Sequence, residues 1–119
     1  MAQCRVRRDD LPPSRGHSTR SAGILLAPQI DADAELYGGA GNDLITAGSG
    51  NDRVFGEDGH DIILGHDGND RLDGGAGDDL LFGGLGDDLL LGGLGDDWLF
   101  GGPGVDVLDV GVGRNRLFP

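Results

Sequence analysis

Between residues 38 and 109 a large aliphatic residue returns every ninth position: Ile45, Val54, Ile63, Leu72, Leu81, Leu90, Leu99 and Leu108. Written in nines from Gly38, the chain reads GGAGNDLIT, AGSGNDRVF, GEDGHDIIL, GHDGNDRLD, GGAGDDLLF, GGLGDDLLL, GGLGDDWLF and GGPGVDVLD, with no insertion or deletion. The invariant aliphatic is position eight of this unit. Positions seven to nine predict a short strand with one side chain turned inward, because alternate side chains leave a strand on opposite faces. The six residues that follow, rich in Gly, Asn and Asp, predict a turn. Two units make an 18-residue coil of two strands, and coils stacked at about 4.8 Å give two facing parallel sheets. Connections this short leave no room for crossover helices, so the predicted class is an all-β, two-sheet parallel solenoid of four full coils. Degenerate copies flank the array, QIDADAELY before it and VGVGRNRLF after it. Both keep an aliphatic expected to be buried (Leu36, Leu117), and both lack aspartate at position six (Ala34, Asn115).

Two further positions are as strict as the aliphatic. Position four is glycine in all eight copies, and position one is glycine in all but Ala47. Glycine at fixed spacing marks backbone that needs positive φ or a close approach. Position six is aspartate throughout. Because repeats two apart lie on the same side of a coil, the aspartates fall into two columns. One is Asp43, Asp61, Asp79 and Asp97; the other is Asp52, Asp70, Asp88 and Asp106. Carboxylates about 5 Å apart repel by roughly 3 kcal/mol at an effective dielectric of 20. A column of four is therefore expected to need cations in its gaps. Hard carboxylate and carbonyl oxygens suit calcium, whereas the absence of any Cys/His cluster disfavours zinc. Ions in all six gaps would nearly neutralise the repeat block, whose formal charge is −14.

Composition agrees with this picture. The chain has 119 residues, enough for one domain, with 25 glycines, 37% hydrophobic residues and six aromatics, a poor recipe for an ordinary compact core. A net charge of −12 argues against nucleic acid and anionic membrane surfaces as partners. The single cysteine, Cys4, cannot form an internal disulfide. Residues 1–28 carry five arginines and two aspartates, with Pro12-Pro13, Pro28 and several serines, and read as a disordered basic tail ahead of a repeat domain at 29–119. No apolar run reaches the length of a membrane span, and Ile24–Ala27 is too short and too late for a cleavable signal peptide.

These nonapeptides resemble the RTX (repeats-in-toxin) family, whose G-G-x-G-x-D-x-U-x unit (U, a large aliphatic) forms a calcium-binding parallel β-roll. The resemblance covers residues 38–109. It implies that each ion sits between loops one coil apart. The earlier loop would give the carbonyls of positions two and four with its aspartate, and the later loop the carbonyls of positions one and three with its own. Carried onto this chain, the first site takes Gly39, Gly41, Asp43, Gly56, Asp58 and Asp61, and the second Gly48, Gly50, Asp52, Gly65, Asp67 and Asp70. The third takes Glu57, Gly59, Asp61, Gly74, Ala76 and Asp79, and the fourth His66, Gly68, Asp70, Gly83, Leu85 and Asp88. The fifth takes Gly75, Gly77, Asp79, Gly92, Leu94 and Asp97, and the sixth Gly84, Gly86, Asp88, Gly101, Pro103 and Asp106. Glu57 and His66 stand where the family has its second glycine, so the third and fourth sites are expected to be strained or weaker. The family's proteins are usually long and secreted, which implies an extracellular location and a chain that is one piece of a larger protein.

Other chemistry is poorly supported. His60 occupies a turn position otherwise held mainly by Asn or Asp, and no serine or cysteine nucleophile recurs near it; a catalytic role for His17, His60 or His66 is not expected. The acidic pairs at 78–79, 87–88 and 96–97 recur with the repeat and read as turn residues beside ligands rather than catalytic carboxylates. No lysine or helix follows the GxG spacings, which excludes a phosphate loop. The non-repeat segments are too short for a catalytic domain, so no enzyme is expected. Two functions remain: a calcium-dependent folding and secretion module, or an acidic glycine-rich disordered or structural repeat with no specific metal role. Only the former needs an invariant buried aliphatic. Finally, the odd repeats direct Leu44, Ile62, Leu80 and Trp98 outward with Thr46, Leu64, Phe82 and Phe100, an apolar face expected to dock a parent domain or a second copy.

Overall fold

A computed structural model of the chain describes residues 3–6, 22–26 and 33–118. Among these the fold is all-β. The strands are β1 (Gln3–Val6), β2 (Ala22–Leu26), β3 (Asp33–Gly39), β4 (Asn42–Gly48), β5 (Arg53–Glu57) and β6 (Ile62–Asp67), followed by β7 (Arg71–Ala76), β8 (Leu80–Leu85), β9 (Leu89–Leu94), β10 (Trp98–Phe100), β11 (Val107–Asp109) and β12 (Arg116–Phe118). Odd-numbered strands form one six-stranded sheet and even-numbered strands the other. Every pairing is parallel, as the coil requires.

Within the repeats the register is one coil, eighteen residues: Leu44 pairs with Ile62, Ile62 with Leu80, Leu80 with Trp98 and Trp98 with Arg116. On the other sheet Leu36 aligns with Val54, Leu72, Leu90 and Leu108. The position-eight side chains from Leu36 to Leu99 are fully buried and meet between the sheets as a single apolar column. Leu108 is only partly covered, and Leu117, expected to be buried, is 45% exposed. Its strand, β12, is the last described strand of its sheet, and among the described residues no further coil covers its inner face.

The strands are longer than side-chain periodicity implies. From β4 to β9 they run five to seven residues, continuing through position two in β4 and β5 and through position three in β6 to β9. Backbone pairing persists there, with Gly75 opposite Gly93, Ala76 opposite Leu94 and Asp67 opposite Leu85. The expected six-residue turn thus shrinks to positions four to six, and only β10, β11 and β12 keep the three-residue length. The inward set is correspondingly larger: β8 alternates as iBiBie, and both Leu81 and Gly83 are buried. Positions seven and nine face outward as expected. On the even-numbered strands Phe82, Phe100 and Phe118 stack in a row, with ring centroids 4.7 and 4.4 Å apart. Ile62 and Trp98 are exposed, whereas Leu44 and Leu80 are half-buried.

Two strands fall inside the segment read as a tail. β1 pairs with β3, aligning Val6 with Leu36, and β2 pairs with β4, aligning Leu25 with Ile45. They give the backbone edges of β3 and β4 a partner, which an edge strand otherwise lacks. Residues 1–2, 7–21 and 27–28 of that segment lie outside the described residues.

Candidate metal centre

Position six lies at or just before the start of each repeat's strand, on its inward face, so the aspartates enter the roll beside the aliphatic column. Asp61, Asp70, Asp79, Asp88 and Asp97 are all at most 3% exposed. Each uses one oxygen in the same way. The backbone N–H of Asp61 donates to Oδ1 of Asp79 at 2.8 Å, and that of Asp79 to Oδ1 of Asp97 at 2.8 Å. In the other column the N–H of Asp70 donates to Asp88 and that of Asp88 to Asp106, at 2.8 and 2.9 Å. The columns are therefore ladders in which each carboxylate is anchored by the coil before it.

The second oxygen is different. Oδ2 of Asp61, Asp70, Asp79, Asp88 and Asp97 is buried and has no hydrogen-bond partner. A buried carboxylate oxygen left unpaired is costly, by about 1–3 kcal/mol and more when charged. It faces the glycine at position one of its own repeat. A Cβ added to Gly56 would stand 2.5 Å from Asp61 Oδ2 and 2.7 Å from the Gly74 carbonyl oxygen, one coil on. The same cradle recurs at Gly65, with Asp70 Oδ2 and Gly83 O, and at Gly74, with Asp79 Oδ2 and Gly92 O. Glycine at position one thus keeps open a small space bordered by a carboxylate and a carbonyl.

Positions two and four bend the backbone into the left-handed region. Gly59 shows the need for glycine at position four: its φ is 111°, and a Cβ there would fall on the Gly41 carbonyl. At position two, Glu57 and His66 both adopt φ of 75°, the left-handed residues that are not glycine among those described. That conformation costs a side-chain-bearing residue about 1–2 kcal/mol. Both residues therefore carry left-handed backbone strain.

Burial dominates the acidity of the columns. Desolvation pushes Asp61 up to about 7, opposed by the hydrogen bond from the Asp43 N–H and reinforced by the charge of Asp43. It pushes Asp70 and Asp79 up to about 8, and raises Asp88 and Asp97 as well. Each of these groups is held where one oxygen of its charged form lacks a partner, the condition a cation would relieve.

The residues expected at the six sites lie on neighbouring coils. Gly39 is in register with Glu57, Gly48 with His66, His66 with Gly84 and Gly75 with Gly93. The position-three carbonyls of Ala76, Leu85, Leu94 and Pro103 accept the N–H of Gly59, Gly68, Gly77 and Gly86 one coil earlier. Each retains a second lone pair. Among the described residues no three carboxylate, histidine or thiol side chains converge on one point. An ion here would complete its shell from main-chain oxygens and water. The donors are all oxygen, one is an orphaned carboxylate oxygen, and an open cradle adjoins it, a set that fits calcium.

One device went unread in the sequence. Position five forms its own exposed ladder. Asn42 Oδ1 accepts the N–H of His60, His60 Nδ1 that of Asp78, and Asp78 Oδ1 that of Asp96, at 2.7 to 2.8 Å. Asn51, Asn69 and Asp87 do the same on the other side. This accounts for the Asn, Asp and His residues at that position: all offer an acceptor at the same reach. His60 is a rung of this ladder through Nδ1, and in the acidic pairs one aspartate caps the next coil while its neighbour points inward. His17 lies outside the described residues.

The fold and the columns define a parallel β-roll of nonapeptides with oxygen-rich inter-coil gaps. The family model for the RTX calcium-binding nonapeptide repeat (4 copies) matches residues 31–63, 55–90 and 82–117. The chain belongs to that family, and its repeats are a calcium-binding β-roll module. The curated proteins and the solved structures yield no match to it. Among the described residues no helix is long and apolar enough to cross a membrane.

Proposed function

We propose that calcium occupies each of the six gaps between successive position-six aspartates and that this occupancy drives the folding of the roll. The module then serves as a calcium-dependent folding and secretion element of a larger extracellular protein, unfolded where calcium is scarce and folded where it is abundant. The observation that carries this reading is the set of buried, unpartnered carboxylate oxygens at Asp61, Asp70, Asp79, Asp88 and Asp97. An aliphatic column fully buried from Leu36 to Leu99 argues against a passive acidic, glycine-rich segment, which needs no core.

Calcium and folding are coupled when the site exists only in the folded chain. Circular dichroism during a calcium titration at pH 7.5 is expected to show a cooperative gain of β signal, with a midpoint of about 0.1–1 mM as in extracellular modules. A spectrum identical in EGTA and in excess calcium would overturn the proposal.

A further inference from the structure

The column Asp43, Asp61, Asp79, Asp97 continues into the last coil, where its fifth member is Asn115. The backbone relation is unchanged there. The N–H of Asp97 donates to Asn115 Oδ1 at 2.6 Å, just as the N–H of Asp79 donates to Asp97 Oδ1 at 2.8 Å. What differs is the second atom of the side chain. At Asp97 it is an oxygen, buried and unpartnered, beside Gly92 and the Val110 carbonyl. At Asn115 it is an amide nitrogen that donates to the Val110 carbonyl at 2.9 Å and lies 3.5 Å from the Gly113 carbonyl. The neighbours fix this orientation. A donor N–H lies on one side and carbonyl acceptors on the other, so only oxygen toward Asp97 and nitrogen toward Val110 satisfies both.

Val110 and Gly113 occupy positions one and four of their repeat, and the carbonyls of those positions are loop donors in the family's sites. The Asn115 amide thus occupies Val110, an oxygen that an ion in the next gap would need, and it removes the negative charge that would draw one there.

We propose that Asn115 is the terminator of its aspartate column: it closes the last rung with its own N–H, so that no calcium is taken up between Asp97 and Asn115. The proposal rests on the calcium reading of the preceding gaps. The ladder of backbone hydrogen bonds extends one coil beyond the last ion, and the final turn of the roll is held without metal. Oxygen in place of the amide nitrogen would convert this rung into the form found at Asp61, Asp79 and Asp97, with carbonyls and two carboxylates facing one gap.

The test is the number of calcium ions bound per full-length chain at saturation, measured by equilibrium dialysis with metal analysis. Asn115→Asp is expected to bind one ion more than the wild type. Asp97→Asn moves the terminator one coil inward and is expected to bind one fewer, still folding cooperatively in calcium. It decides the matter even if Asn115→Asp fails to fold. An unchanged count in Asp97→Asn, or in a folded Asn115→Asp, would overturn the terminator. A wild-type count of zero would instead overturn the calcium reading, and the terminator with it.

Discussion

At the scale of single residues, burial is imposed on groups that resist it. An aspartate enters the roll at position six because the strand's alternation puts positions six, eight and one on the same face. That coupling to the aliphatic could be read from spacing, and so could the glycine at position four. The acidity of the buried carboxylates could not, because it depends on which oxygen the neighbouring coil satisfies. It has a testable consequence. Asp61, Asp70 and Asp79 are raised in the folded chain to about 7 to 8 from the ordinary 3.8. A group raised on folding adds stability that is fully present below its unfolded value and is lost as pH climbs through its folded value. The metal-free roll is therefore favoured by acid: in metal-free buffer, lowering pH from 8.5 to 5 is expected to increase β signal. Calcium must displace those protons, so its midpoint should rise as pH falls from 8 to 6. A metal-free spectrum indifferent to pH over that range would contradict the assignment.

Glu57 and His66 offer a second residue-scale test. Left-handed φ costs each about 1–2 kcal/mol, while glycine at the same place costs about 0.5–1 kcal/mol in chain entropy. Replacing Glu57 with glycine is thus expected to stabilise the calcium-loaded roll by about 0.5–1 kcal/mol, read from chemical denaturation. A destabilised variant would show that the glutamate side chain makes a compensating contact.

At the scale of elements, the unit is a column or a ladder rather than a strand. The nine-residue period made the two sheets, their parallel pairing and the inward position eight legible. Strand length was not, because the backbone of positions one to three pairs around the corner without leaving any trace in side-chain pattern. The position-five ladder escaped notice for a related reason: Asn42, His60 and Asp78 look unlike one another until the coil rise brings each acceptor under the next N–H. Nor did spacing show that Leu117 ends up uncovered, which follows from β12 being a terminal strand. Columns also predict unequal aspartates. Asp79 and Asp88 each face two gaps, whereas Asp43 and Asp106 each face one. Alanine at Asp79 or Asp88 is expected to raise the calcium midpoint more than alanine at Asp43 or Asp106. Equal shifts at all four positions would mean that no carboxylate is shared between ions.

At the scale of the whole molecule, the roll is a stack in which each coil contacts chiefly its neighbours. Its apolar column is one residue wide per strand, and the carboxylate columns run beside it. An empty gap leaves buried carboxylate oxygens unpaired on the coils that border it. Ions in those gaps would give the unpaired carboxylate oxygens their partners. Anomalous scattering from crystals of the calcium-loaded chain tests for these ions most directly. The prediction is a row of anomalous peaks along each column, including one between Asp61 and Asp79 and one between Asp70 and Asp88, each bonded to both aspartates and to loop carbonyls. A folded chain with peaks only on the exposed position-five aspartates, or with none, would contradict it.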